Sequence, residues 1–162
     1  MRNKNLENRL KGSNWAYTGS IAMKLHANRL GFPFPLNRKI GNINIAAIDP
    51  LAIVPIISKT KNKNNKNRIG WHLNSSPEYK RTKFYSNRGG INMNLFPANG
   101  KLAPNFKHVQ KFNGYPPIMS LNSLLNQKMK INENNVFENN IRKLKRNKEI
   151  LRELIKLNRR VR

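Results

Sequence analysis

Residues 14–49 read NWAYTGSIAMKLHANRLGFPFPLNRKIGNINIAAID, and their hydrophobic pattern changes period twice. Trp15 to Thr18 form a short β-favouring run, and Gly19-Ser20 then turns the chain. Ile21, Met23, Leu25, His26 and Leu30 follow on a helical segment that Gly31 stops. Gly31-Phe32-Pro33-Phe34-Pro35 is a stiff connection, because each proline fixes its own φ and pushes the residue before it towards extended geometry. Past Arg38 and Lys39, Ile43, Ile45 and Ala47 alternate with Asn42, Asn44 and Ala46, which is the period of a strand. The stretch therefore reads strand, turn, helix, loop, strand.

Working outward, Leu6 to Leu10 suit a short helical turn. Asp49-Pro50 has the form of a helix start, with Asp as N-cap and Pro at the first helical position. Leu51 to Ser58 then read as a short buried helix strained by Pro55. Lys59 to Arg68, KTKNKNNKNR, is polar, repetitive and positive, and reads as a mobile basic loop. Gly70 to Leu73 return as a strand carrying Trp71. Tyr79–Asn87 and Ile91–Phe96 flank Arg88-Gly89-Gly90 and suggest a β-hairpin. Pro97 to Pro117 is rich in loop residues. Ser120 can cap a helix of Leu121, Leu124, Leu125 and Met129. A last, long basic helix starts at Asn134 or Asn135 and spans 134–162. Its apolar stripe is Val136, Ile141, Leu144, Leu151, Leu154, Leu157 and Val161. The expected class is α+β, one domain over residues 1–162, with a small mixed sheet of three to five strands and flanking helices.

Composition narrows the partners. The chain has 162 residues and 38% hydrophobic residues, with 32 Lys and Arg against 7 Asp and Glu, a formal net charge of +25. A small soluble domain ordinarily carries a net charge of roughly 2–8 in magnitude. A surface this basic attracts polyanions, nucleic acid first and anionic membrane second. Asp49 is the lone aspartate in the sequence, beside 28 Asn. Sites that hold Mg²⁺ for nucleotide chemistry converge two or three carboxylates, so the supply here is thin. No cysteine is present, which excludes disulfides and thiolate zinc sites. His26, His72 and His108 lack metal-ligand spacing. The N-terminal residues lack the apolar core of a signal peptide, and the longest apolar run, residues 43–58, is interrupted by Asn44, Asp49 and two prolines. A soluble, intracellular protein with no membrane partner is expected.

The Gly19-Ser20 turn followed by the Asn42-x-Asn44 strand resembles the core of the nucleotidyltransferase superfamily, the polymerase-beta-like fold. That family sets Asp-x-Asp on the second strand and a third carboxylate on a later neighbouring strand. The run Gly90–Phe96 resembles the later strand, with Asn94 at the acidic position. The resemblance covers about residues 13–157 and implies a minimal nucleotidyltransferase-like fold. It also implies that Asn42, Asn44 and Asn94 replace a catalytic carboxylate triad, leaving a degenerate member with no metal or other cofactor. Amides keep the shape of carboxylates without their charge, and they can donate hydrogen bonds to a phosphate. Ordinary solvent-facing strand residues in an Asn-rich chain are the plainer explanation of the same positions.

Function is expected to follow the charge: non-catalytic, largely sequence-independent binding of DNA or RNA, of the kind used in genome or virion packaging. The cations set out for this are Arg38 and Lys39, then Lys59, Lys61, Lys63, Lys66 and Arg68 in the loop. On the last helix they are Arg142, Lys143, Lys145, Arg146, Arg152, Arg159 and Arg160. Gly19 and Ser20 offer a weaker phosphate site at a helix N-terminus. Aromatic residues Trp71, Tyr79, Phe84 and Tyr85 interleave with Lys80, Arg81 and Lys83, a pattern that fits either base stacking or core packing. Two other readings stay open. One is an active metal-dependent nucleotidyltransferase with a site rearranged around Asp49 and Glu78. The other is a basic module that binds an acidic protein. The long helix fits homo-oligomerisation as well as packing on its own sheet. The acid-poor composition suits a viral or nucleoid-associated protein.

Overall fold

A computed structural model describes residues 4–34, 42–50, 52–53, 56, 71–73, 82–84, 92–97, 106–130 and 138–161. Among these, the defined elements include α1 (Lys4–Arg9), β1 (Trp15–Thr18), α2 (Gly19–Leu30), β2 (Asn42–Ala47), β3 (Trp71–Leu73), β4 (Thr82–Phe84), β5 (Asn92–Pro97), a 3-10 turn (Phe106–His108), β6 (Val109–Gln110), β7 (Ile118–Met119), α3 (Leu121–Met129) and α4 (Glu138–Arg160). The strands form one mixed sheet in the order β3-β4-β5-β2-β1-β7-β6. β1 pairs antiparallel with β2, while β2 runs parallel to β5 and β1 parallel to β7. The α+β class with flanking helices is therefore as expected. The sheet is wider than expected because β6 and β7, of two residues each, lie in or beside the stretch that reads as loop. β7 is recruited by pairing with the distant β1, which leaves no local hydrophobic period to read.

The central strands hold the core. Tyr17, Ile45 and Leu95 stand in register on β1, β2 and β5 and are buried. On the same side, Trp15 and Tyr17 meet edge-to-face with ring centroids 5.0 Å apart, and the Tyr17 hydroxyl donates to Glu7 Oε2 of α1 at 3.0 Å. Leu6 and Leu10 are also fully buried and join this core. α2 is buried nearly all round: Ile21, Ala22, Met23, Leu25, His26 and Ala27 are all inside. Its end follows the sequence, with Gly31 at φ 70° and Phe32 N–H donating to the Ala27 carbonyl at 2.8 Å. Only a residue tolerant of the left-handed region closes a helix in this way at low cost.

The remaining local expectations largely hold. Ser120 caps α3, its Oγ accepting from Ser123 N–H at 3.2 Å. Asp49 Oδ1 accepts from Ala52 N–H at 3.4 Å, and Pro50, Ala52 and Ile53 are helical. Thr82–Phe84 pairs antiparallel with β5 as the hairpin requires, while its Gly89-Gly90 turn lies outside the described residues. So do the 59–68 loop and positions 134–137, including Val136. The apolar stripe of α4 differs in detail. Leu144, Ile150, Leu151 and Leu154 are buried, Asn147 is buried among them, and Val161 is exposed. That stripe packs within the chain, and Ile150, Leu151 and Leu154 join the same cluster as α2 and α3. No helix among the described residues is long and apolar enough to cross a membrane.

His26 ties three elements together. Its Nε2–H donates to the Met119 carbonyl of β7 at 2.8 Å, and its Nδ1 accepts from Arg29 Nη2 at 3.0 Å. The carbonyl can only accept and the guanidinium can only donate, so the ring is the neutral Nε2–H tautomer. Arg29 also stacks on Phe112 at 3.9 Å and donates to Asn158 Oδ1 of α4 at 3.2 Å. Burial pushes the His26 pKa down to about 4, assisted by the Arg29 charge and opposed by the Met119 carbonyl. The unfolded chain therefore binds this proton first as pH falls, and stability drops from about pH 6.5 down to about 4. We expect a loss on the order of 3 kcal/mol across that window in urea unfolding. A flat stability profile between neutral pH and pH 4 would contradict this role for His26.

Candidate functional site: an amide pair under the first long helix

Two adjacent parallel strands bring the predicted positions together. The register of β2 on β5 sets Asn42 opposite Asn92 and Asn44 opposite Asn94. Asn94 is buried, at 1% exposure, and its Nδ2 donates to Asn44 Oδ1 at 2.9 Å. Among the described residues Asn94 Oδ1 has no hydrogen-bond partner. A buried carbonyl left this way costs about 1–3 kcal/mol. The side chain of Asn42 lies outside the described residues. Asn92, which the sequence reading passed over, holds the register position opposite it, a relation visible only once the strand pairing is known.

The same level of the sheet is polar across five strands. Thr18 pairs with Asn44, Asn44 with Asn94, Asn94 with Lys83 and Lys83 with His72. This is a statement of backbone register for Lys83 and His72. The sequence marks Lys83 among cations interleaved with aromatics and His72 as a histidine without metal-ligand spacing, but not their shared level with Asn44 and Asn94, because register across strands is set by tertiary pairing.

Gly19 closes the site from above. No loop separates β1 from α2; Thr18 ends the strand and Gly19, at φ 65°, begins the helix. The Asn44 side chain fills the space beside Gly19 Cα. A Cβ placed on Gly19 would run into the Asn44 amide nitrogen, with Asn44 Cγ only 3.2 Å away. Ser20 follows as the second, half-buried residue of α2. Thr18 does not cap the helix with its side chain; its hydroxyl donates instead to Gln127 Oε1 of α3 at 3.2 Å. Thr18, Gly19, Asn44, Phe96, Gln127 and Lys128 line a small cleft of about 60 Å³. The sequence marks Gln127 and Lys128 only as part of a helix; their place at the cleft comes from the packing of α3.

The chemistry of this donor set is neutral and polar. One amide oxygen already accepts a hydrogen bond, and neither Asn carries charge. Mg²⁺, which the resembled family uses, requires charged oxygen ligands near ideal octahedral geometry. The described residues of the site do not fit that ion. Asp49, the nearest acid in sequence, is exposed and engaged as a helix cap; Glu78 lies outside the described residues. No group of three or more His, Cys, Asp or Glu side chains converges among the described residues.

The basic residues divide into described and undescribed sets. Arg142, Lys143, Lys145, Arg146, Arg152, Arg159 and Arg160 are all exposed on α4. Arg38, Lys39, Lys59, Lys61, Lys63, Lys66 and Arg68 lie outside the described residues, as do Tyr79, Tyr85 and the side chains of Trp71 and Phe84.

No protein-family model matches the sequence, and no curated protein matches it significantly. Among solved structures, the chain is similar to the crystal structure of JHP933 from Helicobacter pylori and to that of a "putative nucleotidyltransferase" from H. pylori. Each aligns over 78% of this chain at 12% identity with a TM-score of 0.46. The chain spans about half the length of those two structures, 52% and 54%.

The contact between Gly19 and Asn44 gives a direct test. Gly19→Ala meets both a left-handed backbone and the Asn44 amide, and we expect a loss of about 2–3 kcal/mol in denaturant unfolding. Placing the same change on an Asn44→Ala background should recover the steric part and leave about 1–2 kcal/mol of backbone cost. Equal losses on both backgrounds would show that the two residues do not touch.

Proposed function

We propose that the chain is a nucleotidyltransferase-like protein that does not transfer nucleotides and instead binds DNA or RNA by charge, largely without sequence preference. One observation carries the non-catalytic half. Where the resembled family sets carboxylates on neighbouring strands, Asn44 and Asn94 hydrogen-bond each other. Carboxylates at this spacing would repel one another and call for a metal ion. An amide pair satisfies part of its own hydrogen bonding and leaves a phosphate-rich partner unrepelled.

The binding half is supported by the net charge of +25 and by the exposed cations of α4. Each phosphate neutralised by Lys or Arg releases condensed counterions, so such binding is favourable at low salt and steeply salt-dependent. A protein of this kind coats, compacts or accompanies its nucleic acid. The use of Asp49 as a helix cap weighs against an active site rearranged around it.

Binding to duplex and single-stranded oligonucleotides of unrelated sequence should therefore be measured from about 50 to 200 mM NaCl. If six or more phosphates are engaged, affinity should fall by about a thousand-fold or more over that range, with little change between sequences. Weak binding at low salt, or affinity insensitive to salt, would falsify the proposal.

A further inference from the structure

β6 closes one end of the sheet, and the residues around it combine aromatic rings with charge. Residues 106–115 read FKHVQKFNGY. The 3-10 turn Phe106–His108 leads into β6, and a turn closed by Tyr115 N–H donating to the Phe112 carbonyl at 3.0 Å follows it. Phe106, Phe112 and Tyr115 are half-buried: they pack against the core without being enclosed by it. Lys107 and Lys111 are exposed. Rings and ammonium groups therefore share one short segment at a sheet edge.

The segment is held in place. The His108 carbonyl accepts from Ser120 N–H at 2.9 Å, and β6 pairs with β7. Phe112 carries the Arg29 guanidinium 3.9 Å over its ring and meets the His26 ring edge-to-face at 6.1 Å. Phe112 is thus a support, and Phe106 and Tyr115 are the rings left to meet a ligand. Rings fixed by packing lose little further freedom on binding. Acids stand away from this corner. Residues 79–132 and α2 contain no Asp or Glu. α4 reaches the corner through Asn158, whose Oδ1 accepts from Arg29. At about 100° per residue, Glu153 and Glu149 lie about 140° and 180° around the helix from Asn158, on the far side of α4 from that contact.

We propose that single-stranded nucleic acid runs along the β6 edge, with unpaired bases stacked on Phe106 and Tyr115 and phosphates on Lys107 and Lys111. The inference rests on the nucleic-acid reading above and names the form of nucleic acid that is held. Every base has a π-face, so stacking adds affinity while keeping binding sequence-tolerant. A duplex keeps its bases in its own stack and is left with the charge contribution alone. An acidic protein would meet the lysines and have no use for the rings.

The test uses the full chain with a mixed-sequence DNA strand, the matching RNA strand, the DNA duplex and polyglutamate as probes. Phe106→Leu and Tyr115→Leu keep an apolar side chain and remove the ring. Each should weaken binding of both single strands by about ten-fold and leave duplex binding within about two-fold. K107Q/K111Q, at two exposed positions, should lower the single-strand salt slope by about 1.4, the value for two phosphates. A readout on the wild type needs no variant to fold: cross-linking to a 5-iodouracil-labelled strand, mapped by mass spectrometry, should place adducts on Phe106 or Tyr115. Equal losses for strand and duplex in the Leu variants, or adducts confined to other residues, would overturn the edge site and leave the charge-driven reading standing. Failure of the wild type to bind any oligonucleotide, or binding to polyglutamate alone, would remove both.

Discussion

The fold turns on a close approach between a helix start and a strand. Gly19 opens α2 directly after β1, and the Asn44 side chain occupies the space where any other residue would put a Cβ. Because Thr18 and Asn44 are partners in the β1–β2 register, that approach fixes the height of the helix over the sheet. Asn44 then accepts from Asn94, which ties β2 to the parallel β5. One side chain thus sets the relation of α2 to the three central strands. The His26 network secures the other end of α2, through Met119 to β7 and through Arg29 and Asn158 to α4.

In the proposed reading, this arrangement lets a scaffold outlast its chemistry. Asn matches Asp in side-chain length and planarity, so such an exchange would keep the packing beneath Gly19. It exchanges an acceptor that needs a cation for a group that both donates and accepts. The consequence is electrostatic. The cleft is lined by Thr18, Asn44, Gln127 and Lys128 together with the apolar Met23, Phe96 and Leu124, and none of these residues carries a negative charge. It lies in a molecule whose overall field already favours anions. In the proposed reading, metal-assisted transfer is lost, and attraction for a phosphate backbone becomes the property that the rest of the surface amplifies.

Much of this was readable wherever the signal is local. Ser120 and Asp49 were legible as caps because a short polar side chain before a helical run can satisfy an orphan N–H. Gly31 is legible as a stop, β1 as a short β-favouring run, and β2 and β5 by their alternation. Asn44 and Asn94 were singled out as positions, yet their hydrogen bond depends on a parallel register between strands fifty residues apart, which no local pattern encodes. For the same reason β6 lies in a stretch that reads as loop, β7 just past it has no strand signal of its own, and the sequence does not place Thr18, Asn92, Gln127 and Lys128 at the site. Asn147 broke the apolar stripe of α4 on paper and is buried in the fold. Polarity argued for the surface there, and tertiary packing prevailed.

The central claim is that binding depends on charge and uses no metal at the amide pair. The most direct measurement titrates the wild-type chain into a labelled oligonucleotide at fixed ionic strength, with and without Mg²⁺, in the presence of nucleoside triphosphates, while following incorporation into the oligonucleotide. The account predicts that Mg²⁺ acts only as a competing counterion, weakening binding modestly, with no nucleotide incorporated. Tighter binding on adding Mg²⁺, or metal-dependent incorporation lost in Asn44→Ala, would contradict it.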